Sequence, residues 1–262
     1  MKEIILTPKE QPSIWLEAEV IKPDIFAGKE LKDIEALEIF YGNKKAMLGD
    51  FFEVSGSASD KAEDIRIIIA GDVSRTKRIG EEMSAGEILI KGSADMYFGA
   101  RMKGGKIIIE GNADAFAGQQ LAGGELIIKG NAGNYLGSSY RGDWRGMKGG
   151  VIIVEGNAGS EIAEFMLGGR IRIKGSVGAF AGLHMKKGSI VIDGNAAGRV
   201  GAQMTGGSIV VNGKVESLLP GFKLEKKEKD IKIDGEEFKG TYSKYTGDHA
   251  EREASGVLYV KE

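Results

Sequence analysis

Glycines recur along this chain at an almost constant interval, and each is followed by a short apolar segment. The step is 19 residues every time except once, where it is 26. The recurring positions are Gly86, Gly105, Gly124, Gly150, Gly169, Gly188 and Gly207. A fixed period of this size is typical of a solenoid, because one repeat cannot bury its apolar side alone and must stack on its neighbours.

Two columns of the repeat predict a buried β-strand. Ile, Leu or Val stands two and four residues after the recurring glycine, as at Ile107 and Ile109 or at Ile152 and Val154. Alternation at a period of two, with β-branched residues, fits strands whose inward side chains are buried. We therefore predict an all-β fold of about seven to eight stacked coils of parallel strands with short terminal caps.

Glycine also marks the expected corners between strands. Gly-Asn pairs follow the strands, and Asn112, Asn131 and Asn157 are expected to stack into a hydrogen-bonded ladder. Glycine and asparagine tolerate positive φ, so we assign structural corners to these positions. The assigned corner glycines are Gly105, Gly124, Gly150, Gly169, Gly130, Gly133 and Gly137.

Charges alternate in sign from repeat to repeat. Five residues after the recurring glycine stand Lys91, Glu110, Lys129, Glu155, Lys174 and Asp193. Unlike charges stacked one strand apart attract each other, so this column favours parallel stacking in register.

An outward-facing column is unexpectedly apolar. Three residues after the recurring glycine stand Leu89, Ile108, Ile127, Ile153, Val191 and Val210, and the column has a single polar exception, Arg172. A continuous apolar stripe should not face water. Either a terminal segment of the chain or a partner chain is expected to cover it.

The 26-residue step carries an insertion between Ser138 and Met147. Its residues Tyr140, Arg141, Trp144 and Arg145 are of the types enriched at interface hot spots. Loops that interrupt a solenoid commonly lie on a binding face, so we expect a partner interface here. A loop that packs on its own chain and a small-molecule contact are the alternatives.

The segments outside the repeat are expected to cap its ends. We divide the chain into an N-terminal cap (1–49), the β-helix repeats (50–217) and a C-terminal cap or tail (218–262). Residues 52–58 resemble a shortened coil, residues 24–37 a short helix, and the charged run at 225–229 a linker. Methionine, or once leucine, stands three residues before each recurring glycine, from Met83 to Met204. Met47 is expected to belong to this methionine column.

Composition argues against several functions. The net charge of −2 disfavours nucleic-acid or membrane-surface binding, and the chain has no cysteine and only two histidines. We therefore expect a cytoplasmic chain with no catalytic, cofactor-binding or metal-binding residues of its own. The methionine column is interpreted as core rather than as a copper site, and Asp248, His249 and Glu251 as unrelated neighbours rather than a catalytic group.

The repeats resemble a known architecture, and the termini resemble a narrower family. The glycine pattern of Gly130–Gly137 and Gly175–Gly188 is similar to the right-handed β-helix of the glutamate synthase large subunit. The opening Ile4–Pro8, the entry Leu48–Val54, the Arg-Gly-Met ending of the insertion and the Tyr245–Ala250 segment resemble the C subunits of formylmethanofuran dehydrogenases.

The resemblance implies a right-handed parallel β-helix that serves as a non-catalytic scaffold in a complex. That complex reduces CO2 and transfers the formyl group to methanofuran, the first step of methanogenesis from CO2. The resemblance places tungsten- or molybdenum-pterin, iron–sulfur clusters and a binuclear zinc site in partner subunits, which are amidohydrolase-like and formate-dehydrogenase-like. The C subunit of a formyltransferase/hydrolase complex, a stand-alone glutamate-synthase-like module and an independent β-helix enzyme are the alternatives.

Overall fold

Strands make up nearly all of the regular structure in the computed structural model, which describes residues 1–262. They form two sheets, one of thirteen strands and one of four. In chain order the strands are β1 Lys2–Pro8, β2 Leu16–Glu17, β3 Glu38–Tyr41, β4 Lys44–Met47, β5 Phe52–Gly56, β6 Ile65–Ile69, β7 Thr76–Lys77, β8 Glu87–Ile90, β9 Lys106–Ile109, β10 Glu125–Ile128, β11 Val151–Val154, β12 Leu167–Ile173, β13 Lys187–Ile192, β14 Ser208–Val211, β15 Lys223–Ile233, β16 Glu236–Gly247 and β17 Gly256–Lys261. The helices are single turns: α1 Pro23–Phe26, α2 Leu31–Glu35, α3 Leu48–Phe51 and a 3-10 turn at Ala62–Asp64.

The repeats stack side by side as parallel strands in the large sheet. Its order is β15-β16-β17-β14-β13-β12-β11-β10-β9-β8-β6-β1-β5, and all neighbours from β1 to β17 are parallel. Equivalent residues pair directly, so Ile107 faces Leu126 and Leu126 faces Ile152. The insertion therefore loops out of the 26-residue step without shifting the register.

A second parallel ladder joins the same repeats at another point. Isolated bridges link Val73, Ala94, Ala113, Ala132, Ala158, Val177, Ala196 and Val215, each to the next. Every repeat is thus bonded to its neighbour at two places.

The core is a stack of identical inward positions. The predicted strand columns are fully buried, as Ile88, Ile107 and Leu126 show. The methionine column is equally buried, from Met83 to Met204. Met47 does not belong to it, because this side chain lies in β4 and is 48% exposed.

The predicted corner glycines are needed for two different reasons. Gly124 has a φ of 81°, a left-handed conformation that favours glycine, and Gly105, Gly150, Gly169 and Gly137 share it. Gly130 has no positive φ, but a Cβ there would lie 2.6 Å from the carbonyl oxygen of Gly111 in the preceding repeat. The explanation by positive φ was therefore wrong for Gly130 and Gly133, which allow close approach of successive repeats instead.

The asparagine ladder forms, with backbone donors rather than paired side-chain amides. The Asn112 side-chain oxygen accepts from the Asn131 N–H at 2.8 Å, and the Asn131 oxygen from the Asn157 N–H at 2.8 Å. At the equivalent positions, the Ser93 and Ser176 hydroxyl oxygens accept from the backbone N–H groups of Asn112 and Asn195. Asp72 begins the ladder by accepting from the Ser93 N–H.

The alternating charges pair across neighbouring repeats at several positions. Glu110 lies 3.5 Å from Lys129 and Glu155 lies 2.5 Å from Lys174. Such exposed pairs contribute about 0–1 kcal/mol each, so their main effect is on register.

The N-terminal segment enters the large sheet directly. β1 pairs in parallel with β6, and β5 pairs antiparallel with β1. The interpretation of residues 52–58 as a shortened coil was therefore wrong, since β1 supplies the strand that extends the stack. The expected helix at 24–37 is split into α1 and α2, with Gly28 between them at a φ of 71°.

The charged run at 225–229 is not a linker but part of edge strand β15. Charged, exposed side chains on an edge strand discourage pairing with other chains. The hairpin of β15 and β16 folds over the outer face of the large sheet. Its residues Ile231, Phe238 and Tyr242 cover Val191 and Val210 of the apolar stripe.

The tip of this hairpin explains the one polar position in the stripe. Glu236 pairs with Arg172 at 2.5 Å and also with Arg170. Arg172 additionally pairs with Asp193 at 3.0 Å. The hairpin therefore covers the stripe from Arg172 onward, whereas Leu89, Ile108, Ile127 and Ile153 lie beyond its tip.

Candidate protein interface at the insertion

An aromatic ladder lies beneath the insertion. Tyr97, Phe116 and Tyr135 occupy the same position in three successive repeats, each with a φ of 62°. Their shared left-handed backbone aims the three rings the same way, with centroids 5.1 Å and 4.6 Å apart. The rings are almost parallel, so one continuous aromatic stack spans three repeats.

Arginines lie against this ladder. The Arg78 guanidinium lies 5.1 Å from the Tyr97 ring centroid, and that of Arg141 lies 5.7 Å from the Phe116 ring. Cations over aromatic faces are attracted by the ring quadrupole. Arg141, predicted as an interface residue, thus joins the insertion to the ladder.

The insertion is held in shape by its own polar contacts. The Gln120 amide donates to the Asp143 carboxylate and to the Arg145 carbonyl oxygen, both at 2.9 Å. The Arg145 guanidinium donates twice to Asp143, at 2.9 and 3.2 Å. Hydrogen bonds from Arg145, and then from Gln120, lower the pKa of Asp143. The charge of Arg145 is therefore matched inside the loop.

Two aromatic side chains of the insertion project into solvent. Tyr140 is 53% exposed and Trp144 is 57% exposed. Cations surround the Trp144 ring, with Arg145 at 5.3 Å and Lys186 at 5.1 Å from its centroid. Large exposed aromatics rimmed by cations have the composition of an interface hot spot.

A cleft separates the insertion from the next repeat; we call it the loop cleft. It has a volume of about 390 Å³. Its side-chain lining comes from Tyr135, Ser139, Arg141, Asp143, Trp144, Glu161, Glu164 and Phe165. The Tyr135 hydroxyl donates to Glu161 at 3.3 Å. Burial, and then the charge of Glu161, raise the pKa of Glu164.

The uncovered part of the apolar stripe is a separate surface. Parallel pairing brings Leu89, Ile108, Ile127 and Ile153 into one row on neighbouring strands. All four side chains are half-buried, because they pack against one another. The row is open beyond the hairpin tip, so a terminal segment of the chain covers only one end of the stripe.

The rejected catalytic candidates have structural contacts. Asp248 is 4% exposed and accepts hydrogen bonds from the Gln203 and Ala250 N–H groups. His184, the other histidine of the chain, stacks on Phe165 with the ring centroids 4.5 Å apart. No group of three or more His, Cys, Asp or Glu side chains is placed to hold a metal ion. No helix has the length and apolar character required to cross a membrane.

Sequence reasoning missed the aromatic ladder and an N-terminal apolar patch. Tyr97, Phe116 and Tyr135 recur at the 19-residue period, so their stacking was readable from the sequence. Trp15, which directly precedes β2, is 48% exposed, and Phe40, within β3 of the four-stranded sheet, is 39% exposed. Nothing in their spacing indicated this exposure.

Comparison with known proteins gives full-length matches. The chain is 72% identical over 260 residues to the C subunit of tungsten-containing formylmethanofuran dehydrogenase 2 from Methanothermobacter thermautotrophicus, covering 99% of this chain and 96% of that protein. It is 57% identical over 266 residues to the same-named protein of Methanococcus maripaludis, covering 99% and 97%. The C subunit of molybdenum-containing formylmethanofuran dehydrogenase 1 from Methanosarcina barkeri is 50% identical over 97 residues, covering 37% of this chain and 32% of that protein. No family model matches.

A solved structure shares the fold over the whole chain. It is a chain of the formyltransferase/hydrolase complex of Methylorubrum extorquens, crystallised with methylofuran. The TM-score is 0.86 at 26% identity, covering 98% of this chain and 99% of that one.

Proposed function

This chain belongs to the family of formylmethanofuran dehydrogenase C subunits, and on that premise we propose that it is a non-catalytic scaffold of such a complex. The observation that carries the proposal is the exposure of Tyr140 and Trp144 on an insertion that Gln120 and Asp143 hold in shape. Exposed aromatics on a braced loop are suited to binding another protein. The chain would hold neighbouring subunits in place rather than take part in the chemistry.

The proposed complex reduces CO2 and transfers the formyl group to methanofuran in the cytoplasm. Tungsten- or molybdenum-pterin, iron–sulfur clusters and a binuclear zinc site would lie in the amidohydrolase-like and formate-dehydrogenase-like partners. The tungsten form is favoured, because full-length relatives carry that name whereas the molybdenum-type match covers 37% of the chain.

The proposed architecture is a right-handed parallel β-helix. In-register parallel strands and the second ladder of bridges support it, as does the right-handedness of nearly all parallel crossovers. We propose that residues 1–49 and 218–262 cap the two ends of the repeats at 50–217. β1 and β17 of these terminal segments extend the stack of parallel strands.

Two surfaces are proposed to contact partners. One is the insertion, through Tyr140, Arg141 and Trp144, with Arg145 bracing the loop. The other is the open stripe of Leu89, Ile108, Ile127 and Ile153, since a contiguous apolar row is expected to be covered.

A formyltransferase/hydrolase complex is the second candidate assembly. Its structural match over 98% of the chain favours it, but the identity of 26% is far below the 57% and 72% found for dehydrogenase subunits. The dehydrogenase assignment is therefore preferred. Full-length matches at 57% and 72% identity to dehydrogenase subunits also favour it over a stand-alone glutamate-synthase-like module.

Replacing Tyr140 and Trp144 by alanine tests the proposal. Loss of interface aromatics costs about 2 kcal/mol or more, so we expect at least about 30-fold weaker association of this chain with the complex. Native mass spectrometry of the purified complex measures the retained fraction. Trp15→Ala is the matched control, because Trp15 is similarly exposed. Full retention of the double variant, or equal loss in the control, would contradict the proposed interface.

A further inference from the structure

The loop cleft contains negative charge that the chain itself does not match. The Glu161 carboxylate accepts one hydrogen bond, from the Tyr135 hydroxyl. Burial, and then the neighbouring charge of Glu161, oppose the ionisation of Glu164. Both carboxylates line the same cavity.

The other charged groups of the cleft are already engaged. Asp143 of the cleft wall pairs at 2.9 Å with Arg145, which does not line the cleft. Arg141 lies over the Phe116 ring. With the Asp143–Arg145 pair set aside, one arginine faces two glutamates, which leaves a net charge of about −1 in the cleft.

Aromatic rings form the remaining walls. Tyr135, Trp144 and Phe165 border the same cavity as the two glutamates. Carboxylates beside aromatic faces attract organic cations by ion pairing and by cation–π interaction together. The volume of about 390 Å³ lies at the low end of ligand pockets, which suits one extended side chain rather than a helix.

We propose that a lysine or arginine side chain of a neighbouring subunit enters the loop cleft and pairs with Glu161 and Glu164. This inference rests on the proposed function, because Trp144 belongs both to the cleft wall and to the proposed interface. The unmatched negative charge argues for a cationic occupant, and the exposed rim formed by the insertion argues for a protein as its source.

The test is a double substitution, Glu161→Gln and Glu164→Gln, in the assembled complex. Native mass spectrometry over a salt titration gives the salt concentration at which half of the complexes lose this chain. We expect about tenfold or more weaker association and a shallower salt dependence, since the desolvated ion pair is lost. The control is Glu110→Gln with Glu155→Gln, the same change at carboxylates that pair with lysines of this chain.

The free variant separates an interface role from a structural one. Burial and the charge of Glu161 both disfavour the ionised form of Glu164. The double variant removes these charges, so its melting temperature should be no lower than that of the wild type. Should Glu161→Gln disturb its bond to Tyr135, Glu164→Gln alone gives the same test without a lost contact. A carbodiimide cross-link from Glu164 to a partner would identify lysine, and weakened association without a cross-link would identify arginine.

Unchanged or tighter association of the glutamine variants would overturn the cationic occupant. If Tyr140→Ala with Trp144→Ala still releases the chain, the proposed interface survives that result. If neither pair of substitutions weakens association, both proposals fail.

Discussion

Asn131 links its repeat to the repeats on both sides. Asn131 donates its backbone N–H to Asn112 and accepts from the backbone N–H of Asn157, both at 2.8 Å. The column therefore satisfies backbone donors at a corner, where no sheet partner is available.

Asn131→Ala should lower the free energy of unfolding by about 1 kcal/mol, because the Asn157 N–H loses its acceptor. Asn131→Ser is the matched variant, since Ser93 and Ser176 already act as acceptors in this column. We expect it to retain part of the lost stability in urea denaturation. An alanine variant as stable as the wild type, or a serine variant equally destabilised, would contradict the ladder's contribution.

Asp95 is a buried carboxylate whose charge is poorly supported. It is 3% exposed, its Oδ1 accepts from the Met96 N–H at 2.7 Å, and its Oδ2 has no partner. Burial, and to a lesser extent the charge of Asp114, raise its pKa above 3.8.

Asp95→Asn should therefore stabilise the protein at pH 7 by about 1 kcal/mol. The pKa of Asp95 is higher in the folded than in the unfolded protein. The contribution of Asp95 to folding stability is therefore fully favourable at pH values below its unfolded-state pKa. That contribution is lost as the pH rises through its folded-state pKa. The gain in Tm should accordingly be present at pH 7 and vanish below about pH 3.8. Asp60→Asn, at an exposed site, serves as control. A gain that persists unchanged in acid would rule out this explanation.

Residues that repeat were predictable, and residues that do not repeat were less so. The inward isoleucines and the methionine column follow from the 19-residue period, because each position meets its own copy. Asp95 has a periodic counterpart, Asp114, but that residue is exposed, so the burial of Asp95 depends on neighbours that the sequence does not reveal. Met47 was misassigned because one matching residue outside the repeat carries little information.

The β15–β16 hairpin covers one end of the apolar stripe. Phe238 is 5% exposed and packs with Val191, Val210, Ile231 and Tyr242. Glu236 fixes the hairpin tip to Arg170 and Arg172.

Phe238→Ala should release this hairpin without unfolding the repeats. Removing a buried phenylalanine costs about 3 kcal/mol, so the open state should become about 100-fold more populated. Limited proteolysis between residues 223 and 247 measures the opening. Leu224→Ala, in the same hairpin but 55% exposed, should cleave like the wild type. Equal cleavage of the Phe238 variant and the wild type would show that the hairpin is held in another way.

The sequence concealed this hairpin for a physical reason. The run at 225–229 is Glu-Lys-Lys-Glu-Lys, without the apolar alternation that marks a half-buried strand. β15 is an edge strand held by its pairing with β16, so its central side chains have no core to face. By contrast, the first four residues of β17 alternate between buried and half-buried side chains, as expected for a half-buried strand.

The molecule as a whole combines a stack of paired repeats with two uncovered surfaces. The insertion presents Tyr140 and Trp144, and the stripe presents Leu89, Ile108 and its two further isoleucines. The location of the insertion was readable from the one irregular step in the period. Its bracing by Gln120 and its position over the aromatic ladder required the structure, because these contacts come from preceding repeats.

Hydroxyl-radical footprinting of the chain, free and within the purified complex, tests the scaffold proposal most directly. This method reports the solvent exposure of individual side chains. We predict that Tyr140, Trp144 and the stripe residues Leu89 and Ile108 become protected in the complex, while Leu224 on the edge hairpin keeps its labelling. Equal labelling of Tyr140, Trp144 and the stripe in the two states would contradict the account, because both proposed docking surfaces would then remain in water.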